Sequence, residues 1–292
     1  MKRHNAQKKT LLVVAGPTAV GKTQFCVQLA KQYQTDVVSA DSRQLYRELS
    51  IGTAKPTEVD MEGVRHHFIS SHSVQEVVSA GRYERECLAL LNTLFQAKDI
   101  VIMTGGTGLY IDAVCFGLDD IPSIDPAIRE ELMARVAQEG LVNLQVELRE
   151  RDPVYAATAD LQNTQRVVRA LEVCLGTGQP FSSFRRQQTA PRPFDIKLTA
   201  LDRPRDELYA RIDARVDAML QAGLLDEVRS LLPYRDHLAL RTVGYQEVFA
   251  HFDGEYEHDE MVTRIKQNTR RYAKRQLTWF RNRGYEQITV SR

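Results

Sequence analysis

Short apolar runs and segments with apolar residues at helical spacing follow one another along the first part of the chain. This order predicts strands followed by helices. The runs "LLVVA" (11–15), "DVVSAD" (36–41) and "DIVIMTGG" (99–106) are typical of buried strands, and the last two end in polar or glycine residues. Between them, "KTQFCVQLAKQY" and "SAGRYERECLALLNTLFQA" carry apolar residues at helical spacing. Strands that alternate with helices predict an α/β fold with a parallel sheet, whose ligand lies beyond the carboxyl ends of the strands.

The pattern changes after about residue 118. "DDIPSIDP" is typical of a linker, and the segment from there to about residue 176 carries successive helix patterns without a strand. A strand pattern returns at 193–202, and "QITV" near the end predicts a last short strand. We therefore expect a discontinuous core, residues 1–118 and 190–292, that carries a helical insertion at 119–189.

Composition points to a protein outside the membrane. Of the 292 residues, 43% are hydrophobic and 26% are charged, and no apolar run approaches the roughly 18 residues that a membrane-spanning helix needs. The chain begins with the basic stretch "MKRHNAQKKT", but "LLVVAG" after it is too short for the apolar part of a signal peptide. We expect a cytoplasmic protein.

The spacing of cysteine and histidine indicates neither a disulfide framework nor a zinc site. His66 and His67 are adjacent, so their side chains point in different directions on a helix or a strand, which disfavours a shared metal. The four cysteines stand singly and are expected to be reduced and mostly buried: Cys26, Cys87, Cys115 and Cys174.

Charge is balanced overall but not along the chain. The formal net charge is +1, whereas residues 261–292 hold nine basic residues and one acidic residue. Such a segment is expected of a protein with a polyanionic partner, and it is equally typical of a solvated helix face. Within it, "KRQLTWFRNR" places Trp279 and Phe280 among cations, which suits stacking on bases, although Trp279 could equally belong to the core.

The segment "GPTAVGKT" matches the phosphate-loop pattern G-x-x-x-x-G-K-[ST] without a mismatch. It follows a predicted strand and opens a predicted helix, where free backbone N–H groups and the helix dipole favour an anion. Lys22 adds a positive charge, and the Thr23 hydroxyl is a suitable Mg²⁺ ligand. The predicted phosphate-binding residues are Gly16, Pro17, Thr18, Ala19, Val20, Gly21, Lys22 and Thr23.

Two further strand ends carry candidate chemistry. Asp41 follows the second strand, where a carboxylate could hold Mg²⁺ or accept a proton. The alternative, which the residue alone favours, is a turn or the cap of a helix beginning in "DSRQLYRELS". The strand at 99–103 closes with "TGGTGLY" instead of the aspartate expected in a nucleotide hydrolase. There the glycines would admit a substrate and Thr107 would position it, unless the segment is only a tight turn.

Arginines at helical spacing are open to two interpretations. Arg211 and Arg215 share a helix face, and one of them could reach a diphosphate. Spacing alone favours the other interpretation, in which Arg211 pairs with Glu207 and Arg215 with nearby acids on a solvated face. Arg166 and Arg169 could equally contact phosphate or serve surface solubility.

Seven segments together resemble the tRNA dimethylallyltransferase (tRNA isopentenyltransferase, IPP transferase) family: "GPTAVGKT", "SADSRQLYRELSIGTAKPT", "TGGTGLYIDAV", "RVVRALEV", "YARIDARVDAML", "RTVGYQE" and "KRQLTWFR". The likeness runs from about residue 11 to 285 and is closer to bacterial members, since eukaryotic ones append a Cys/His module. It implies a P-loop NTPase-like core with a helical tRNA-binding insertion and Mg²⁺ dependence, and we expect the protein to be a monomer. The implied reaction transfers a dimethylallyl group from dimethylallyl diphosphate to N6 of the adenosine immediately 3′ of the anticodon in tRNA.

The same resemblance assigns roles to residues. The phosphate loop would cradle the diphosphate leaving group, so that no phosphoryl transfer is required. Asp41 would be the general base, Thr107 would orient the adenine or help bind the diphosphate, and Arg215 rather than Arg211 would offset leaving-group charge. Contacts to tRNA are implied for Asp41, Ser42, Arg43, Gln44, Thr107, Arg129, Gln165, Arg166, Val167, Val168, Arg169, Arg241, Thr242, Val243, Gly244, Tyr245, Gln246, Lys274, Arg275, Trp279 and Arg281.

Two other functions remain compatible with the residues. A P-loop kinase would hold ATP on the same loop and use Asp41 as the base for a small metabolite. A non-catalytic RNA-binding module would rest on the basic C-terminal segment alone. Transfer of label from dimethylallyl diphosphate to tRNA, or from ATP to a metabolite, distinguishes the two enzymes.

Overall fold

The computed structural model describes residues 8–185 and 189–290; most of the basic N-terminal stretch and Arg292 lie outside them. The strands in this part are β1 (Thr10–Ala15), β2 (Val37–Ser39), β3 (His66–His67), β4 (Ile100–Gly105), β5 (Asp195–Asp202) and β6 (Glu286–Thr289). The helices are α1 (Lys22–Tyr33), α2 (Glu58–Met61), α3 (Ala80–Ala97), α4 (Gly108–Phe116), α5 (Pro126–Glu139), α6 (Val142–Arg151), α7 (Pro153–Ala156), α8 (Thr164–Thr177), α9 (Phe181–Phe184), α10 (Arg205–Gln221), α11 (Leu224–Ser230), α12 (Tyr245–Phe252) and α13 (His258–Arg281). Short 3₁₀ helices occupy Leu232–Tyr234 and Leu238–Leu240.

The strands form one parallel sheet in the order β3-β2-β4-β1-β5-β6, which confirms the α/β fold predicted from the sequence. β4 lies between β1 and β2, with Gly105 opposite Ala15 and Thr104 opposite Ser39. The segments that follow these three strands therefore leave the sheet at the same edge. Candidate residues that are far apart in the sequence meet there.

Both faces of the sheet are buried, because alternate residues of β1 contribute to two different apolar clusters. Leu11 and Val13 belong to a cluster that includes Tyr83 of α3, whereas Val14 belongs to one that includes Cys26 of α1. All four cysteines are free and buried, as expected. Within the described ranges, no helix is both long enough and apolar enough to cross a membrane.

The start of α1 differs from the starts of α3 and α8. Ser79 accepts a hydrogen bond from the Arg82 N–H before α3, and Asn163 accepts one from the Arg166 N–H before α8. In contrast, Gly21 precedes α1 and no side chain caps that helix. The first N–H groups of α1 can therefore serve an anion instead.

Two compact units make up the chain, residues 117–190 and the segments on either side of them. The smaller unit is helical and has its own core, which includes Leu132, Leu148 and Leu171. Within it, the buried Asp152 carboxylate accepts hydrogen bonds from the Tyr155 N–H and from the N–H and hydroxyl of Ser182, at 2.7–2.9 Å. These bonds connect the start of α7 to α9. The larger unit contains the sheet.

Candidate functional site

A cavity of about 870 Å³ opens at the carboxyl edge of the sheet, within the larger unit. It is lined by the phosphate loop, the turn that begins at Asp41, residues 50–57, the end of β4, and parts of α10 and α13. Residues 50–57 are called the cavity loop below. The cavity brings together the phosphate loop, Asp41 and Arg215 from three separate parts of the sequence.

The phosphate loop has the backbone that its glycines permit. Gly16 and Gly21 have φ angles of 151° and 112°, and a Cβ on Gly16 would lie 2.9 Å from the Leu201 carbonyl oxygen. The loop leads directly into α1, whose N-terminus carries a partial positive charge. This geometry suits an anionic group, as the sequence predicts.

Lys22 folds back over the loop. Its Nζ donates to the carbonyl oxygens of Gly16 and Pro17 at 3.0 and 2.8 Å. Burial lowers the pKa of Lys22 to about 8; Asp41 acts against this decrease, and Arg215 adds to it. The protonation of Lys22 is therefore sensitive to pH near 8.

Asp41 lies in a turn and not at the start of a helix. Its Oδ1 accepts hydrogen bonds from the N–H groups of Arg43 and Gln44 at 2.9 and 3.3 Å, and residues 42–45 form turns. The helix suggested for "DSRQLYRELS" is therefore wrong, although the turn that was its alternative is present. These two bonds orient the carboxylate within the cavity wall.

Thr107 is held against the same turn. Its Oγ1 accepts from the Ser42 N–H at 3.0 Å and donates to the Ser42 hydroxyl at 3.2 Å, while the Thr107 N–H donates to the Ala40 carbonyl. A Cβ on Gly105 would lie 2.2 Å from the Ala40 carbonyl oxygen, so only glycine allows this approach of the two strand ends. The glycines of "TGGTGLY" thus bring Thr107 beside the residues flanking Asp41.

α10 directs two arginines at the phosphate loop. Arg215 Nη1 donates to Thr18 Oγ1 at 3.1 Å, and Arg211 Nε donates to the Ala19 carbonyl at 2.8 Å. Glu207 pairs instead with Arg203 at 2.9 Å. The pairing of Arg211 with Glu207 favoured by spacing is wrong, because α10 packs against the loop and its arginines find partners there. Burial lowers the pKa of Arg215, and the nearby Arg211 adds to this effect.

Two residues of α13 complete the site without having been singled out from the sequence. Gln276 is buried; its Oε1 accepts from the Thr18 N–H and its Nε2 donates to the Gly106 carbonyl, both at 2.9 Å. Tyr272 lines the cavity, and burial, with a contribution from Asp41, raises its pKa to about 12. Both lie within the basic C-terminal segment, residues 261–292. There they differ from the basic residues around them in having uncharged side chains, which is the feature of the sequence that could have indicated them.

The oxygen atoms around the phosphate loop fit a magnesium ion whose other ligands would be phosphate groups of a bound substrate and waters. Among the described residues, no three His, Cys, Asp or Glu side chains cluster in a way that would hold a metal. The cavity does contain the Thr23 hydroxyl and the Asp41 carboxylate, which are hard oxygen donors. Mg²⁺ is commonly held by one or two protein oxygens together with phosphate groups and waters.

Several residues suggested for tRNA contact have side chains that are buried inside the protein. Val167, Val168 and Tyr245 are fully buried, so their side chains cannot touch RNA. Trp279 is half-buried, and a Cβ on Gly108 would lie 2.3 Å from its Nε1. The indole therefore packs on the start of α4, which favours the core interpretation over base stacking.

The remaining basic candidates differ in their partners. Arg129 and Arg169 share the Glu172 carboxylate at 2.9 and 2.6 Å, and Arg281 pairs with Asp202 at 2.7 Å. Other suggested RNA contacts are exposed, and this group includes Gln165, Arg166, Arg241, Gln246, Lys274 and Arg275. Thr242, Val243, Gly244, Arg43 and Gln44 line the cavity.

Comparison with known proteins gives the family. The sequence model of the IPP transferase family matches residues 44–283. The tRNA dimethylallyltransferase of Cytophaga hutchinsonii is 52% identical over 93% of this chain and 90% of its own length. tRNA dimethylallyltransferase 1 of Bacteroides thetaiotaomicron is 47% identical over 93% of this chain and 88% of its own length.

Solved structures give the same result. The tRNA isopentenylpyrophosphate transferase of Bacillus halodurans is similar with a TM-score of 0.70 and 38% identity, over 97% of this chain and 90% of the other. A eukaryotic dimethylallyltransferase crystallised while acting on tRNA is similar with a TM-score of 0.77 and 26% identity. The likeness covers 96% of this chain and 74% of the other. Sequence and fold therefore agree that this chain belongs to the IPP transferase family, the tRNA dimethylallyltransferases.

Proposed function

We propose that this protein transfers a dimethylallyl group from dimethylallyl diphosphate to N6 of the adenosine immediately 3′ of the anticodon in tRNA. The observation that carries the proposal is the meeting of a phosphate loop, Arg215 and Asp41 in one cavity. Membership of the IPP transferase family, whose relatives are named tRNA dimethylallyltransferase, supports it. We further propose that the protein acts as a monomer in the cytoplasm.

The phosphate loop and its cations would hold the diphosphate. The N-terminus of α1 supplies backbone N–H groups, while Lys22 and Arg215 supply positive charge near Thr18. Charge grows on the diphosphate as the bond between its oxygen and the allylic carbon breaks, so these groups stabilise the transition state more than the ground state. Mg²⁺, bound to the diphosphate and Thr23, would supply further charge neutralisation.

Asp41 would accept the proton released by the nucleophile. As the adenine N6 forms a bond to the allylic carbon, the carbon–oxygen bond breaks and the diphosphate leaves with the electron pair. One N6 proton then passes to the Asp41 carboxylate, which its turn holds in the cavity wall. Thr107 lies beside Ser42 and would orient the adenine or the donor.

Binding of RNA would use exposed basic residues. Lys274 and Arg275 on α13 and Arg166 on α8 are exposed and would contact phosphates. The target adenine must leave the anticodon loop to reach the cavity, and unpaired loop bases are the least costly to extract. The helical unit, residues 117–190, would serve as a tRNA-binding insertion.

The family disfavours the kinase alternative, since its relatives are named for prenyl transfer. The experiment is incubation of purified protein with unmodified tRNA and labelled dimethylallyl diphosphate, alongside labelled ATP with a metabolite panel. Label should enter tRNA and appear in digested RNA as N6-dimethylallyladenosine. Label transfer only from ATP to a metabolite would refute the proposal, and RNA binding without any transfer would favour the non-catalytic module.

A further inference from the structure

The cavity loop is fixed by a carboxylate from a distant part of the sequence. Glu227 on α11 accepts three backbone hydrogen bonds from this loop: Oε2 from the N–H groups of Ser50 and Ile51 at 3.0 and 2.7 Å, and Oε1 from Gly52 at 3.0 Å. Charge-assisted bonds of this kind are stronger than neutral ones. One side chain thus determines the conformation of three consecutive peptide groups.

Tyr245 completes this arrangement. Its hydroxyl donates to Glu227 Oε1 at 2.6 Å, and its side chain is fully buried. A Cβ on Gly52 would lie 2.5 Å from the Tyr245 ring, so glycine is required for the loop to lie against it. Burial, together with the Glu227 charge, raises the pKa of Tyr245, and the hydroxyl therefore remains a donor. The Tyr245 side chain of "RTVGYQE" therefore points into the protein and supports the cavity loop, and it is not available to RNA.

The cavity loop is in turn connected to the candidate base. Gln44 Nε2 donates to the carbonyl oxygens of Thr53 and Ala54 at 3.2 and 3.3 Å. The N–H of the same Gln44 donates to Asp41 Oδ1 at 3.3 Å. A continuous series of hydrogen bonds therefore leads from Tyr245 and Glu227, through the cavity loop and Gln44, to the Asp41 carboxylate.

We propose that Glu227 is a positioning residue for the transfer reaction, which holds the cavity loop and, through Gln44, the Asp41 carboxylate in their working geometry. This inference rests on the function proposed above. Glu227 does not position Lys22 or Arg215, the cations proposed to bind the diphosphate, since both bond to the phosphate loop instead. Its loss should therefore lower the rate of transfer more than the affinity for the donor.

The test uses Glu227→Gln, Tyr245→Phe and the double variant of the full chain. Asp226→Asn is the matched control, because Asp226 precedes Glu227 on the same helix, is exposed and pairs with Arg229, three positions along that helix. Transfer to tRNA is measured at saturating substrate, and donor binding by calorimetry gives the concentration of competent sites. Thermal unfolding is followed for every variant.

We expect Glu227→Gln to lower kcat per competent site by about tenfold to a hundredfold, because small misplacements of reacting groups have effects of this size. The KM for dimethylallyl diphosphate should stay within about twofold, since the diphosphate-binding groups are unchanged. Tyr245→Phe should lower kcat less, and adding it to Glu227→Gln should cause little further loss, because both act through one set of bonds.

A Glu227→Gln variant whose kcat per competent site equals that of Asp226→Asn would overturn the inference, even if it unfolded at a lower temperature, since that result indicates a structural role alone. Additive losses in the double variant would equally contradict it. Failure of the wild-type protein to modify tRNA would refute the proposed function instead, and the two failures are thus distinguishable.

Discussion

Arg215 and Thr18 are joined by a hydrogen bond of 3.1 Å from Nη1 to Oγ1, although 197 positions separate them in the sequence. Arg211, one helical turn earlier, bonds to the backbone of the same loop, at the Ala19 carbonyl. The two arginines therefore offer a matched pair: both lie on α10 and line the cavity, but Arg215 is the more buried.

The first prediction concerns this pair. Arg215→Ala should lower kcat/KM for dimethylallyl diphosphate by about a hundredfold or more, which is the usual effect of removing one group that stabilises developing charge. Arg211→Ala, the control, should cost less than about tenfold, as expected for a more solvent-screened charge. Steady-state kinetics with varied donor measures both. Equal losses in the two variants would show that the bond to Thr18 has no special role.

The second prediction concerns Asp41. Asp41→Asn keeps an acceptor for the N–H groups of Arg43 and Gln44 but cannot take up the N6 proton. Transfer should fall by about a hundredfold to ten-thousandfold, the range typical of general-base loss, while affinity for tRNA is retained. Asp259→Asn, at a fully exposed position, is the control. Single-turnover transfer and filter binding measure the two properties. An Asp41→Asn enzyme with wild-type turnover would exclude the residue as the base.

The third prediction concerns pH. Because the pKa of Lys22 is lowered to about 8 and a bound diphosphate favours its charged form, donor affinity should be unaffected by this group below pH 8. Above pH 8, affinity should fall by up to about tenfold per unit, and binding should take up a proton. Calorimetry in buffers of different ionisation enthalpy measures this uptake. Lys22→Met should bind the donor weakly and without this dependence, and the prediction fails if the variant keeps the same slope.

The fourth prediction concerns the basic face of α13. Arg275 is exposed, with its guanidinium 5.7 Å from the centre of the Tyr272 ring, whereas Arg281 pairs with Asp202. Arg275→Ala should weaken tRNA binding and reduce the slope of log affinity against log salt by about one unit if it contacts a phosphate.

Arg281→Ala should change the slope less than Arg275→Ala, because its ion pair must break first. Arg264→Ala is the control on the same helix, since Arg264 already bonds to Glu260 at 2.7 Å. Filter binding over a range of salt concentrations gives the slopes. Identical slopes for Arg275→Ala and the control would place Arg275 outside the RNA interface.

Local pattern was sufficient for much of the fold and part of the site. The phosphate loop is contiguous, and its strand, glycine turn and helix can each be predicted from a few neighbouring residues. Apolar periodicity likewise predicted the parallel sheet, the helical segment after residue 118 and the last strand at Glu286–Thr289. Short motifs at two strand ends made Asp41 and Thr107 candidates, because parallel strands bring such ends to one edge, but their roles came only from the family resemblance.

Only the tertiary structure decided the partners of Arg211, Arg215 and Glu227. Helical spacing brought Arg211 and Glu207 together, but packing of α10 on the phosphate loop gave Arg211 the Ala19 carbonyl as its partner, and Glu207 pairs with Arg203. Glu227 and Gly52 are 175 positions apart, so no local pattern could relate them. The sequence by itself determined which segments form strands, helices and an anion-binding loop, since those depend on near neighbours. Burial and long-range hydrogen bonds depend on the packed chain, and they alone decided that Tyr245 supports the cavity loop while Val167 and Val168 form core.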